Sequence, residues 1–75
     1  MSKKNIDIVK KIIAQATQEK VDKITYNTKS EDIMRWDSLA QIKILDLLEE
    51  NFDKKINTTK AASLKSVKEI CEFLD

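Results

Sequence analysis

Apolar residues recur at helical spacing in three separate stretches of the chain, and no stretch alternates apolar and polar residues as a half-buried strand would. In the first stretch Val9, Ile12, Ile13 and Ala16 repeat on one side, with Ile6 and Ile8 ahead of them and Lys10 and Lys11 on the other. This spacing predicts a helix from about residue 3 to residue 18. In the last stretch Val67, Ile70, Cys71 and Leu74 stand at i, i+3, i+4 and i+7, a single apolar stripe. Ser66 and Glu69 precede it with the spacing of a capping box, so that helix starts after Ser66. The middle stretch predicts a helix from Ser38 to about Phe52. Either Asp37 or Ser38 can cap it, because either side-chain oxygen can accept from the first turn's N–H groups.

The chain contains neither glycine nor proline. Its turns must therefore be built from Asn, Asp, Ser and Lys, which suits short connections between helices. One connection is long, roughly residues 19–36, above the usual length of a structureless loop. It holds six apolar anchors (Val21, Ile24, Tyr26, Ile33, Met34 and Trp36), and its length calls for a function or a short helical turn inside it. A further short helical turn is expected near residues 58–62. The expected fold is all-α: a small four-helix bundle with three main helices, one short helix and a long loop between helices 1 and 2. At 75 residues this is a single domain, 1–75, with a thin core and no room for a deep, fully walled pocket.

The missing residue types exclude most self-contained chemistries. Without histidine there is no Ser-His or Cys-His pair and no histidine-based metal site. Without glycine there is no phosphate loop or dinucleotide fingerprint. Cys71 is the only cysteine, so it can form neither an intrachain disulfide nor a metal cluster, and its place on the apolar stripe makes it a small core residue. No catalytic residue and no metal are expected. The N-terminus lacks a secretory apolar stretch and no segment is long enough to span a bilayer, so the expectation is a cytoplasmic monomer without a membrane partner. Lys3, Lys4, Lys10 and Lys11 cluster, but no aromatic stacking platform accompanies them, and no nucleic-acid partner is expected.

The net charge of +1 conceals three blocks. Residues 1–30 carry seven Lys against three acids, residues 31–53 seven acids against Arg35 and Lys43, and residues 54–75 five Lys against three acids. Asp46, Glu49 and Glu50 fall in the second half of the middle helix, where the macrodipole disfavours negative charge by about 0.3–1 kcal/mol each. Attraction of a basic partner explains such an arrangement, and so does an ordinary solvated face. At about 100° per residue, Ala40, Ile44, Leu45, Leu47, Leu48 and Phe52 gather on one side of this helix. Lys43, Asp46, Glu49, Glu50 and Asp53 gather on the other. Leu39 and Ile42 project from the polar side beside Ser38: either another element covers them, or they form an apolar docking spot ringed by acids.

Ser38 has no internal base and is a poor candidate for a nucleophile in its own right. At a helix N-terminus it suits a phosphate ester instead, because the positive end of the dipole and uncommitted N–H groups face it. Taken alone Asp-Ser-Leu is a weak motif; the surroundings add to it. Residues 36–52, Trp-Asp-Ser-Leu-Ala-Gln-Ile-Lys-Ile-Leu-Asp-Leu-Leu-Glu-Glu-Asn-Phe, followed by Ile56, resemble the signature of acyl carrier proteins. Val9-Lys10-Lys11-Ile12-Ile13 resembles that family's first helix, and Ser66-Val67 with Ile70 and Leu74 its last.

The resemblance implies a carrier of acyl or aminoacyl groups, held as thioesters on a 4′-phosphopantetheine arm joined covalently to Ser38. It implies a phosphopantetheinyl transferase as a partner, with Asp37 assisting it. It implies acyl-transferring or acyl-activating enzymes that meet the second helix, through Leu39, Ile42, Lys43, Asp46, Glu49 and Glu50. Partner enzymes would supply the catalysis, and the carrier attachment, delivery and partial shielding of the cargo between helices. Three departures separate this chain from the common fatty-acid carriers: Trp36 replaces a small residue, Ala40 and Lys43 replace acids, and the whole chain is near neutral. The Trp-Asp-Ser-Leu form resembles specialised carriers of polyketide, aminoacyl or surface-polysaccharide pathways, though Trp36 also suits packing of the long loop onto the bundle. The alternative to a carrier is an unmodified helical interaction module.

Overall fold

Among the described residues there are four α-helices: α1 (Lys3–Thr17), α2 (Ser38–Phe52), α3 (Thr58–Ser63) and α4 (Val67–Leu74). The computed structural model describes residues 3–74. Met1, Ser2 and Asp75, which the single-domain expectation includes, lie outside the described residues, as do the side chains of Lys3, Lys4 and Thr58. The architecture is the expected small all-α bundle, with α1 packed against both α2 and α4. Val9, Ile12, Ile13 and Ala16 of α1 meet Ala40, Ile44 and Leu48 of α2, together with Leu64 and the α4 stripe Val67, Ile70, Cys71 and Leu74. Each fully buried Ile or Leu in this core contributes on the order of 1.5–3 kcal/mol of transfer free energy.

The ends of the helices show how a chain without glycine stops its helices. α1 ends one residue before the expected boundary, because Gln18 adopts a left-handed conformation (φ 57°). The Glu19 N–H then donates back to the Ala14 carbonyl at 3.0 Å, which closes the last turn in a Schellman arrangement. Asp53, just past α2, is likewise left-handed, at φ 51°. A left-handed residue with a side chain is disfavoured by about 1–2 kcal/mol, and Asp tolerates it better than Gln. At the start of α4, Ser66 Oγ accepts from the Glu69 N–H at 3.1 Å and donates to Glu69 Oε1 at 3.0 Å. The expected capping box is thus closed through the serine hydroxyl.

The long connection contains two short 3₁₀ turns, Val21–Lys23 and Ser30–Asp32. Ile24, Ile33 and Trp36 are buried and Tyr26 half-buried, so these four anchor the loop. Val21 and Met34 do not: Met34 is 98% exposed. Two backbone bonds tie the loop to the connection before α4, Ser30 N–H to Lys65 O at 2.8 Å and Val67 N–H to Thr28 O at 3.0 Å. This clasp fixes the loop's far end, and with it the residues leading into Ser38.

Candidate functional site

Asp37 is the residue that caps α2. Its backbone is extended (φ −98°, ψ −168°) and its Oδ1 accepts from the Ala40 N–H at 2.9 Å. Ser38 therefore occupies the first helical position, with an exposed side chain whose hydroxyl has no hydrogen-bond partner among the described residues. The first backbone bond of the helix runs from the Gln41 N–H to the Asp37 carbonyl at 2.9 Å. The N–H groups of Ser38 and Leu39 precede it and carry the positive end of the dipole.

Beside Ser38 an open groove of about 450 Å³ runs between α2 and the α3 end of the molecule, with Trp36, Gln41, Ile42, Ala62 and Lys65 on its walls. The Trp36 ring is buried and its indole N–H donates to Gln41 Oε1 at 2.6 Å. Gln41 Nε2 donates in turn to the carbonyls of Leu64 at 2.9 Å and Ala61 at 3.3 Å. The partners fix the amide's orientation, since the reverse would set a donor against the indole N–H and an acceptor against two carbonyls. Gln41 thereby gives the Leu64 carbonyl, just past α3, a partner, and adds a second donor to the Ala61 carbonyl, which also accepts from the Leu64 N–H at 3.2 Å. Each such bond contributes about 0.5–1.5 kcal/mol net. The sequence reading missed Gln41; a glutamine on a helix carries no sign of partners that stand 20 and 23 residues away.

The face predicted to meet partners is partly available. Leu39 is 72% and Ile42 56% exposed, so no other element covers them. Lys43, Asp46 and Glu50 are exposed around them. Glu49 is half-buried instead, and its Oε2 accepts from the Ile56 N–H at 2.9 Å. Its carboxylate is committed to the turn between α2 and α3. Cys71 is fully buried, among the core residues where its stripe put it. No group of His, Cys, Asp or Glu among the described residues is placed to hold a metal ion, and no helix is long and apolar enough to cross a membrane.

Comparison with known proteins adds to this geometry. Residues 7–74 match the family model described as the phosphopantetheine attachment site. The chain is 33% identical over 66 residues to the acyl carrier protein of Borrelia garinii subsp. bavariensis, covering 88% of this chain and 82% of that relative. It is likewise 33% identical to the acyl carrier protein of Borreliella burgdorferi, with the same coverage. To that of Buchnera aphidicola subsp. Schizaphis graminum it is 31% identical over 67 residues, 89% of this chain and 85% of the relative.

Proposed function

The chain belongs to the phosphopantetheine-attachment family of acyl carrier proteins, and from that premise we propose that Ser38 is the residue that bears its arm. Family membership makes it a carrier of acyl groups rather than an enzyme, with a covalently attached 4′-phosphopantetheine. The observation that carries the assignment to Ser38 is its exposed, uncommitted hydroxyl at the first position of α2, inside the matched span. The fit is chemical as well as steric. The N–H groups of Ser38 and Leu39 suit a phosphate ester, and the open groove leaves room for an arm on one side. Ser38 Oγ forms the new bond to phosphorus, coenzyme A loses its nucleotide as the leaving group, and the hydroxyl proton passes to the transferase or to water. When bound, the arm supplies a terminal thiol that holds cargo as a thioester.

The proposal extends to the setting. Residues 1–75 form one carrier domain, and a transferase and acyl-activating or acyl-transferring enzymes are its partners in the cytoplasm. They meet it at Leu39, Ile42, Lys43, Asp46 and Glu50, with Glu49 at the margin of the contact. Trp36, Ala40, Lys43 and the near-neutral charge favour a specialised pathway (polyketide, aminoacyl or surface polysaccharide) over bulk fatty-acid synthesis. Intact mass after incubation with a phosphopantetheinyl transferase and coenzyme A tests the attachment site. The expected result is a gain of one arm, absent in Ser38→Ala. No gain with several transferases, or a gain that survives Ser38→Ala, overturns the assignment. The mass of the protein isolated from its host then reads the cargo; a population of long saturated acyl chains would sink the specialised pathway.

A further inference from the structure

Gln41 lies one helical turn beyond Ser38, and Ile44, Leu45 and Leu48 continue along that same side of α2 toward the core. Anything that runs from Ser38 inward between α2 and α3 must therefore pass Gln41. At that point the cleft is crossed by hydrogen bonds: Trp36 Nε1–H to Gln41 Oε1, and Gln41 Nε2 to the carbonyls of Ala61 and Leu64. Leu64, 1% exposed, stands behind them as part of the core. None of the deep core residues Ile44, Leu48, Leu64 or Ile70 lines the groove beside Ser38, whose walls include Ser30, Asp37 and Lys65 as well as Trp36 and Ile42. The groove is open to solvent and polar in part, and Gln41 forms part of its wall.

We infer that Gln41, braced by Trp36, bars the cleft between α2 and α3, so that an alkyl chain carried on Ser38 stays outside the core whatever its length. An alkyl chain entering the core would have to displace the amide, leaving the carbonyl of Leu64 and the indole N–H of Trp36 without partners and the Ala61 carbonyl with only the Leu64 N–H. A short cargo leaves the bar closed and meets the polar wall that Ser30 and Lys65 provide. Gln41 is here a positioning residue, and the inference rests on the attachment reading given above.

The test loads wild type, Gln41→Leu and Trp36→Phe with acetyl, hexanoyl and decanoyl phosphopantetheine from the matching acyl-coenzyme A, and follows thioester cleavage by hydroxylamine. Leu removes all three hydrogen bonds and adds apolar volume; Phe removes only the indole donor. In the wild type the three thioesters are expected to cleave within about twofold of one another. In Gln41→Leu the decanoyl thioester is expected to be protected on the order of tenfold, a difference of about 1.4 kcal/mol, with Trp36→Phe in between. Protection that grows with chain length in the wild type overturns the inference, as do equal rates at every length in all three proteins. Should Gln41→Leu fail to fold by circular dichroism, Trp36→Phe against wild type decides alone. Failure of any protein to gain an arm overturns the attachment reading instead, and intact mass distinguishes that outcome.

Discussion

Asp37 commits one carboxylate oxygen to the Ala40 N–H, at 2.9 Å, and leaves the neighbouring Ser38 hydroxyl uncommitted. The two residues are both good caps, so their types alone do not say which one begins the helix. That is set by where the chain leaves the extended conformation, and here it does so after Asp37. The capping and charge contributions of Asp37 can be separated. Asp37→Ala removes the cap and should destabilise by about 1 kcal/mol, a fall in melting temperature of roughly 4–8 °C for a domain of this size. Asp37→Asn keeps a capping oxygen and should melt close to wild type. If the carboxylate also assists the transferase, Asp37→Asn gains its arm more slowly at unchanged stability; loading at the wild-type rate would confine Asp37 to capping. Gln41 shows the opposite limit of legibility. Its chemistry comes from Trp36, Ala61 and Leu64, and only the folded chain brings those together.

The helices were legible because each has an apolar stripe of the right period, and α2 runs from Ser38 to Phe52 as that period requires. The connections were less so. Val21 and Met34 have the composition of anchors, but the two 3₁₀ turns leave them outside while Ile24, Ile33 and Trp36 point in. Backbone–backbone bonds such as Ser30 to Lys65 leave no trace in side-chain pattern at all. Glu49 sits at the boundary between the two cases. The wheel puts it with Asp46 and Glu50 on the charged face, yet it holds the Ile56 N–H at 2.9 Å and so fixes the turn that leads into α3. Truncation should therefore separate the two neighbours. Glu49→Ala leaves a partly buried N–H without a partner and should cost about 1–3 kcal/mol. Glu50→Ala, on an exposed position, should change stability by no more than about 0.5 kcal/mol. Urea unfolding measures both, and equal losses would show that Glu49 is an ordinary surface acid.

Across the whole molecule, seven acids against two bases in residues 31–53 set one acidic region between two basic ones, despite a net charge of only +1. The fold puts part of this region where it can act: Asp46 and Glu50 are exposed on α2, along with Leu39 and Ile42, and the helix that bears them begins at Ser38. Which apolar stripes would pair was not legible, since the stripes are chemically interchangeable; α1 against both α2 and α4 emerges only in three dimensions. The charge blocks were legible, because charge needs only an exposed position to be felt. They lead to a kinetic expectation. A basic partner should be steered toward α2 by the acids, and the effect should fade as the screening length falls from about 30 Å at 0.01 M salt to about 8 Å at physiological ionic strength. Asp46→Lys combined with Glu50→Lys spares the Glu49 bond to Ile56, so the fold should persist. Stopped-flow association with a phosphopantetheinyl transferase should then slow several-fold at low salt and much less at physiological salt, with the dissociation rate changing little. An equal slowing at every salt concentration would mean that the two acids contribute contacts rather than steering. No slowing at all would return this face to the role of a solvated surface and leave Leu39 and Ile42 as the residues that a partner reads.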